Sequence, residues 1–466
     1  MPTALILNLL AALAVCFLLA RMQTLHVSFT KRVFAGMGMG VLLGVMFQSL
    51  YGAGSDVVKQ TGEYLDIVGT GYVKLLQMII IPLIMVSIIS AILKLKDAAS
   101  LGKISVLTIG TLILTTMVAA AVGIAMASAY GLSAVGLTAT AAEVARGEYL
   151  QSTLPAAKAI SFPGMVLSLI PANPFLDMTG ARKTSTIAVV LFSIFIGIAA
   201  TGIAAKKPAI FASFNHFVEV AHAIVMRMVT LVLRLTPFGV FALMAQVVAS
   251  SSLADILNLA SFVAASYSAI LIMFCVHLAL IAAVGLNVPR YLKKVFPVLA
   301  FAFTSRTSAG AIPMSVQTQT TRLGTSAGIA NFAASFGSTI GQNGCAGIYP
   351  AMLAVMIAPT VGIDPMTIGF LLPLVAIITI GSVGVAGVGG GATFAALIVL
   401  SAMDLPVALA GLLISIEPLI DMGRTALNVS GSITAGTVTS RLLGQTDMAV
   451  FDSDAEPNLD TEGASA

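Results

Sequence analysis

The sequence predicts an all-α polytopic membrane protein in which two re-entrant hairpins form an inverted repeat. Three observations predict it. First, the 466 residues are 58% hydrophobic and only 9% charged, with a mean hydropathy of +1.04. A soluble domain carries about 25% charged residues, so a water-soluble globular enzyme is excluded. Second, basic and acidic turns alternate along the chain. Third, the segments 291–330 and 366–402 are rich in Ser, Thr and Gly and are interrupted at mid-length, and each is followed by an expected continuous helix, 331–358 and 406–440.

The elements follow in order. At about 20 residues per spanning helix, the apolar length allows roughly eight to ten passages. A first helix is expected over 4–20. It has neither the basic start nor the A-x-A exit of a secretory leader, and Val15 is too large for a lipoprotein box, so it is read as retained. Helices are then expected over 33–52, 64–95 and 104–130, followed by an irregular segment over 131–157. A broken helical region at 160–204 precedes helices over 208–248 and 255–287. There is no Trp, so an interfacial belt rests on 8 Tyr.

Charge placement gives the threading. Arg21, Lys31, Arg32, Lys94, Lys96, Lys103, Lys206, Lys207, Arg290, Lys293 and Lys294 mark one set of turns. Asp56, Glu63, Glu143, Glu148, Asp255 and Asp364 mark the other. Placing the basic set inside puts the N-terminus outside and the C-terminus inside. The first hairpin then enters from the cytoplasm and the second from outside. Such a repeat points to a secondary transporter with its site near the bilayer midplane. Four regions are expected: an extra helix and basic loop at 1–32, mainly scaffold and trimerisation helices with part of the transport domain at 33–290, a transport core with both hairpins at 291–440, and an acidic disordered tail at 441–466.

The polar chemistry is concentrated in Glu417-Pro-Leu-Ile-Asp421-Met-Gly-Arg424-Thr425-Ala-Leu-Asn428-Val-Ser-Gly-Ser432. At 100° per residue, Glu417, Arg424, Asn428, Asp421, Ser432 and Thr425 fall within a sector of about 100°. Ionisable groups in a membrane helix mark functional sites by default. The stripe suits a zwitterion. Asp421 is placed to take an ammonium and Arg424 a carboxylate. Thr425 and Asn428 offer neutral hydrogen bonds.

Three other motifs accompany it. Thr304-Ser-Arg-Thr-Ser308-Ala-Gly310 permits a tight hairpin tip with exposed backbone N–H groups, although Ser and Thr in membrane helices also bond to their own backbone. The stretch 381–391 holds six Gly in eleven residues, including Gly384, Gly387, Gly389 and Gly390, and reads as a mobile gate. Gly341-Gln342-Asn343-Gly344-Cys345 interrupts the run 331–358. His222 and His277 read as packing residues, and Arg227 and Arg234 as side chains that snorkel to an interface or pair with phospholipid.

These motifs, in this order over roughly residues 33–440, resemble the dicarboxylate/amino acid:cation symporter family, to which the glutamate transporters belong. The resemblance implies a homotrimer in which a transport domain slides against a scaffold, an elevator mechanism. It implies that Asp421 binds the α-ammonium and Arg424 a distal carboxylate. Thr425 and Asn428 lie near the head group, and the backbone of Ser308 touches the α-carboxylate. Gly387 and Val388 cover the substrate. Within the family, the stretches 334–345, 386–394 and 417–432 are most similar to the bacterial branch that takes up L-cystine. Cystine carries a second ammonium, for which Glu417 is available one turn before Asp421. Cys345 and the Gly-rich tip leave room for a long substrate. A glutamate, aspartate or C4-dicarboxylate symporter of the same fold is the alternative.

Departures from the family pattern set the expected coupling ion. Sodium-coupled members carry N-M-D-G-T where this chain has Gly341 to Cys345, and an Asp where Ser432 stands. A hard cation wants anionic or carbonyl oxygen, so sodium sites are expected to be weak or absent. A glutamate that carries a proton in some relatives is matched by Tyr349. Proton coupling is therefore expected, with Glu417 or Asp421 as carrier, because a carboxylate taken out of water favours its protonated form. No cofactor or metal is expected. Cys16, Cys275 and Cys345 have no metal spacing. A net charge of +4 gives no footing for nucleic acid, and no Ser/His pair or HExxH motif supports an enzyme. The expected location is the bacterial inner membrane.

Overall fold

In the computed structural model, the described residues are 2–27, 29–52, 54–93, 98–135, 147–148, 152, 164, 167, 170–182, 184–204, 206–250, 260–383, 391–413 and 416–453. Among them there is no strand. Two single antiparallel bridges pair Thr325 with Thr446 and Ile340 with Val383. Among the described residues, eight helices are long and apolar enough to cross a membrane.

The first half is built from long helices: α1 (Pro2–Thr24), α2 (Phe29–Tyr51), α3 (Asp56–Leu93) and α4 (Ala98–Ala129), the short α5 (Pro174–Met178), then α6 (Ser185–Ala204), α7 (Pro208–Leu233), α8 (Thr236–Ser250) and α9 (Ala260–Ala283). Large apolar side chains such as Leu10 and Phe17 on α1 and Phe217 and Ile224 on α7 are exposed. In a bilayer such faces meet lipid, where apolar exposure carries no penalty. Close packing does the rest. Gly36, Gly40 and Gly44 form one stripe of α2 against α8. A Cβ at Gly40 would lie 2.6 Å from Phe241 O, and one at Gly44 2.7 Å from Ala245 O. Small residues at a spacing of four let helix backbones touch in this way.

Two expectations for this half need correction. The helix expected over 208–248 is two helices. Pro237 lacks an N–H and sits in the first turn of α8, so the chain bends at Arg234 and Leu235. Thr236 Oγ1 secures the bend by donating to Leu233 O at 2.6 Å. The third helix begins at Asp56 rather than 64, with Ser55 Oγ accepting from Val58 N at 3.3 Å as a cap. Most of the expected irregular segment 131–157 lies outside the described residues.

The second half contains both hairpins. Hairpin 1 is α10 (Val288–Ser305) and α11 (Ile312–Thr321), with its tip between them. Arg306 ends α10 in the left-handed region at φ 52°. The interrupted run follows as α12 (Ala327–Gly337), a break, a π-helical turn over Asn343–Ile348, and α13 (Tyr349–Ile357). Hairpin 2 is α14 (Ile368–Gly381) and α15 (Gly391–Ala402). A 3-10 stretch, Val407–Leu413, leads to α16 (Glu417–Leu442). The continuous helix expected over 406–440 is thus shorter, because Pro418 opens α16 as its first-turn proline.

The tail also differs from expectation. It does not leave the molecule at 441: α17 (Met448–Asp452) is folded, and Phe451 is buried. Residues 454–466 lie outside the described residues.

Candidate substrate site

The site is built where α16 crosses the break between α12 and α13. The polar stripe read from the helical period is present. Arg424 Nη2 donates to Glu417 Oε1 at 2.6 Å and to Asp421 Oδ1 at 3.3 Å. Arg424 is 1% exposed. Its guanidinium carbon stands 4.1 Å from the centre of the Tyr349 ring, a stacked cation–π contact. Two of its nitrogens, Nε and Nη1, are buried with no partner among the described residues. A buried N–H without an acceptor costs about 1–3 kcal/mol. Arg424 therefore holds two acids and still has capacity for a further acceptor.

One turn further on, Asn428 organises the break. Its Oδ1 accepts from Gly344 N at 2.8 Å and Cys345 N at 3.3 Å. Its Nδ2 donates to Cys345 Sγ at 3.0 Å and Gln342 Oε1 at 3.4 Å. An amide offers two acceptor and two donor positions, and all four are occupied. These bonds give Asn428 a structural task at the break. Its side chain satisfies backbone groups that the broken helix frees. Cys345 is buried by the same contacts.

Gly344 makes the crossing possible. A Cβ there would lie 2.6 Å from Arg424 O and 2.7 Å from Arg424 Cα. The break and the arginine thus meet backbone to backbone.

Thr425 is buried beside Arg424, and Ser308 is buried at the tip of hairpin 1. No hydrogen bond of the Ser308 side chain to α16 is observed among the described residues. Arg306 at the same tip is near enough to Asp421 to act on its charge. Gly384, Gly387, Val388, Gly389 and Gly390 lie outside the described residues. The bridge from Val383 to Ile340 leads the start of that tip to the break.

Other participants were not visible in the sequence. Tyr267 on α9 donates from Oη to Leu419 O at 2.7 Å, and its ring packs on Gly423. Thr115 on α4 donates to Asn343 Oδ1 at 3.3 Å. His277 is fully buried, with Nδ1 3.0 Å from Ser430 Oγ. These side chains come from helices that carry no polar motif. The first half therefore supplies part of the site's wall.

Residues 29–442 match the sodium:dicarboxylate symporter family. The chain is 57% identical over 447 residues to the L-cystine uptake protein TcyP of Bacillus cereus, covering 96% of each. It is 56% identical to the protein of that name from Bacillus thuringiensis, with the same coverage. For that of Shouchella clausii the identity is 55%, over 97% of this chain and 96% of the other. The chain belongs to the sodium:dicarboxylate symporter family and is a multi-pass inner-membrane transporter, not an enzyme.

Proposed function

We propose that this protein imports L-cystine, the substrate that the names of its relatives give for them. The observation that carries the reading is the triad on α16. Arg424 has two open nitrogens, and Glu417 and Asp421 stand beside it within one sector. Cystine is an amino acid at both ends. One carboxylate can take the open edge of the guanidinium as a charge-assisted pair. Its two ammonium groups match Asp421 and Glu417. Aspartate or glutamate has one ammonium against two carboxylates and a C4-dicarboxylate has none, so each brings net negative charge to a site that already holds two acids, whereas cystine is neutral overall.

We further propose that a proton is the coupling ion. The two positions that carry carboxylates in sodium-coupled relatives are Asn343 and Ser432, both neutral. Asn343 Oδ1 is engaged by Thr115, and Ser432 Oγ donates to Val429 O at 3.1 Å. Neither leaves an anionic oxygen for a hard cation. Glu417 or Asp421 remains the proposed proton carrier. Motion of residues 291–440 as a transport core within a homotrimer, against a scaffold from 33–290, is proposed on the family likeness.

The test is uptake of labelled L-cystine by proteoliposomes, under an imposed proton or sodium gradient and with excess aspartate. Proton-driven, aspartate-insensitive uptake is expected. Sodium-driven uptake would overturn the coupling argument, and aspartate transport without cystine uptake would overturn the substrate. Glu417→Gln separates the two substrates further. It is expected to reduce cystine uptake far more than any residual aspartate uptake, and equal losses would remove Glu417 from the second ammonium.

A further inference from the structure

The segment after α16 is bonded to the open end of hairpin 1. Lys294, in the second turn of α10, is 5% exposed. Its Nζ donates to three backbone carbonyls: Arg322 O at 2.8 Å, Val450 O at 3.0 Å and Phe451 O at 2.7 Å. An ammonium has three donors, so all are used. Arg322 Nη1 returns a bond to Lys294 O at 3.2 Å, tying the two arms of the hairpin together. Arg290 pairs with Asp452 at 2.8 Å. Asp447 N donates to Gly324 O at 2.8 Å, and Thr446 bridges to Thr325. Gly324 has φ +69°, and a Cβ there would run into the carbonyl of Asp447. The ring of Phe451 lies 5.4 Å from Lys294 Nζ.

We propose that residues 446–452 are a strap, anchored by Lys294, that fixes the base of hairpin 1 to the end of α16 and so holds the hairpin tip against the substrate stripe. Both α10 and α16 run from the strap to the site. Arg306 stands twelve residues beyond Lys294, a lever of about 18 Å at the helical rise. A loosened base displaces the tip, and small displacements of positioning groups are costly. Stripping carbonyls from a buried ammonium leaves its charge uncompensated, so the strap is not released lightly. Lys294 is a positioning residue that touches no substrate. The functional part of this inference rests on the cystine-import reading.

The test uses full-length variants Lys294→Met, Phe451→Asp and the two combined, with Lys294→Arg as the conservative replacement. Each single change is expected to raise KM for cystine uptake about tenfold, equivalent to ~1.4 kcal/mol. Maximal rate per inserted protein should stay near normal. The double variant should be no worse than either single one, because both break the same contact. Lys294→Arg, which keeps the donors, should restore most of the affinity. Losses that multiply in the double variant, or an unchanged KM in both singles, would overturn the proposal. A second readout needs no transport: chymotrypsin cleavage at Phe451 in inside-out vesicles. Protection in the unaltered protein and cleavage in Lys294→Met is expected. Equal rates would overturn the strap itself, whereas absence of cystine uptake by the unaltered protein would strike only the substrate reading.

Discussion

Arg424→Ala is expected to abolish uptake while the protein still inserts in the membrane. The guanidinium is buried, holds Glu417 and Asp421, and stacks on Tyr349. Its removal leaves two carboxylates facing each other with no cation between them. Breaking a buried charge pair costs about 3–5 kcal/mol, which is roughly a hundredfold to several thousandfold in affinity. Arg424→Lys should fail nearly as badly. An ammonium lacks the planar fork that meets two acids and a third acceptor together, and it stacks less well on the ring. The measurement is labelled-substrate uptake normalised to protein in the membrane. Normal uptake by either variant would remove Arg424 from the site.

Gly344→Ala is expected to be as damaging, although it changes no charge. The added methyl would meet the carbonyl, Cα and Cβ of Arg424, all within 2.8 Å. None of these is the free end of a side chain, so relief requires the break or α16 to move. Overpacking a well-filled core typically costs about 1–3 kcal/mol, and backbone contacts belong at the upper end. Moving the break would also lengthen the bond from Gly344 N to Asn428 Oδ1. Substrate affinity should fall by roughly tenfold or more, with a lowered melting temperature in detergent. A variant that binds substrate with unaltered affinity would show that the crossing is looser than its geometry states.

The hairpins and the break could be read because the reason for them is local. Gly, Ser and Thr at mid-membrane cannot sustain a straight apolar helix, and 306–311 and 338–342 interrupt helices as their composition demands. The stripe could be read because helical period is arithmetic: the interval of seven from Glu417 to Arg424 brings both onto one face, where they bond. The partner of Asn428 could not be read. A sequence displays an amide with four bonding positions, but tertiary packing decides who fills them. Tyr267 and Thr115 were hidden for the same reason, since nothing on α4 or α9 distinguishes the turn that reaches α16. The strap was concealed by composition. Six acids after 441 suggested a solvated end, yet Phe451 and a row of backbone carbonyls decide the fate of its first part. The bend at Arg234 and Leu235 was legible in Pro237, but continuous hydropathy across it outweighed that signal.

The glycine stripe of α2 has one more consequence. Where Gly36, Gly40 and Gly44 meet α8, main chain rests on main chain. Beyond main chain only Met244 Cβ and the Val248 side chain touch the seam, so it has few rotamers to reshuffle under load. The two helices therefore behave as one plank of double width, and a lone methyl at any of the three positions acts as a shim, tilting all of α2 rather than denting it at one point.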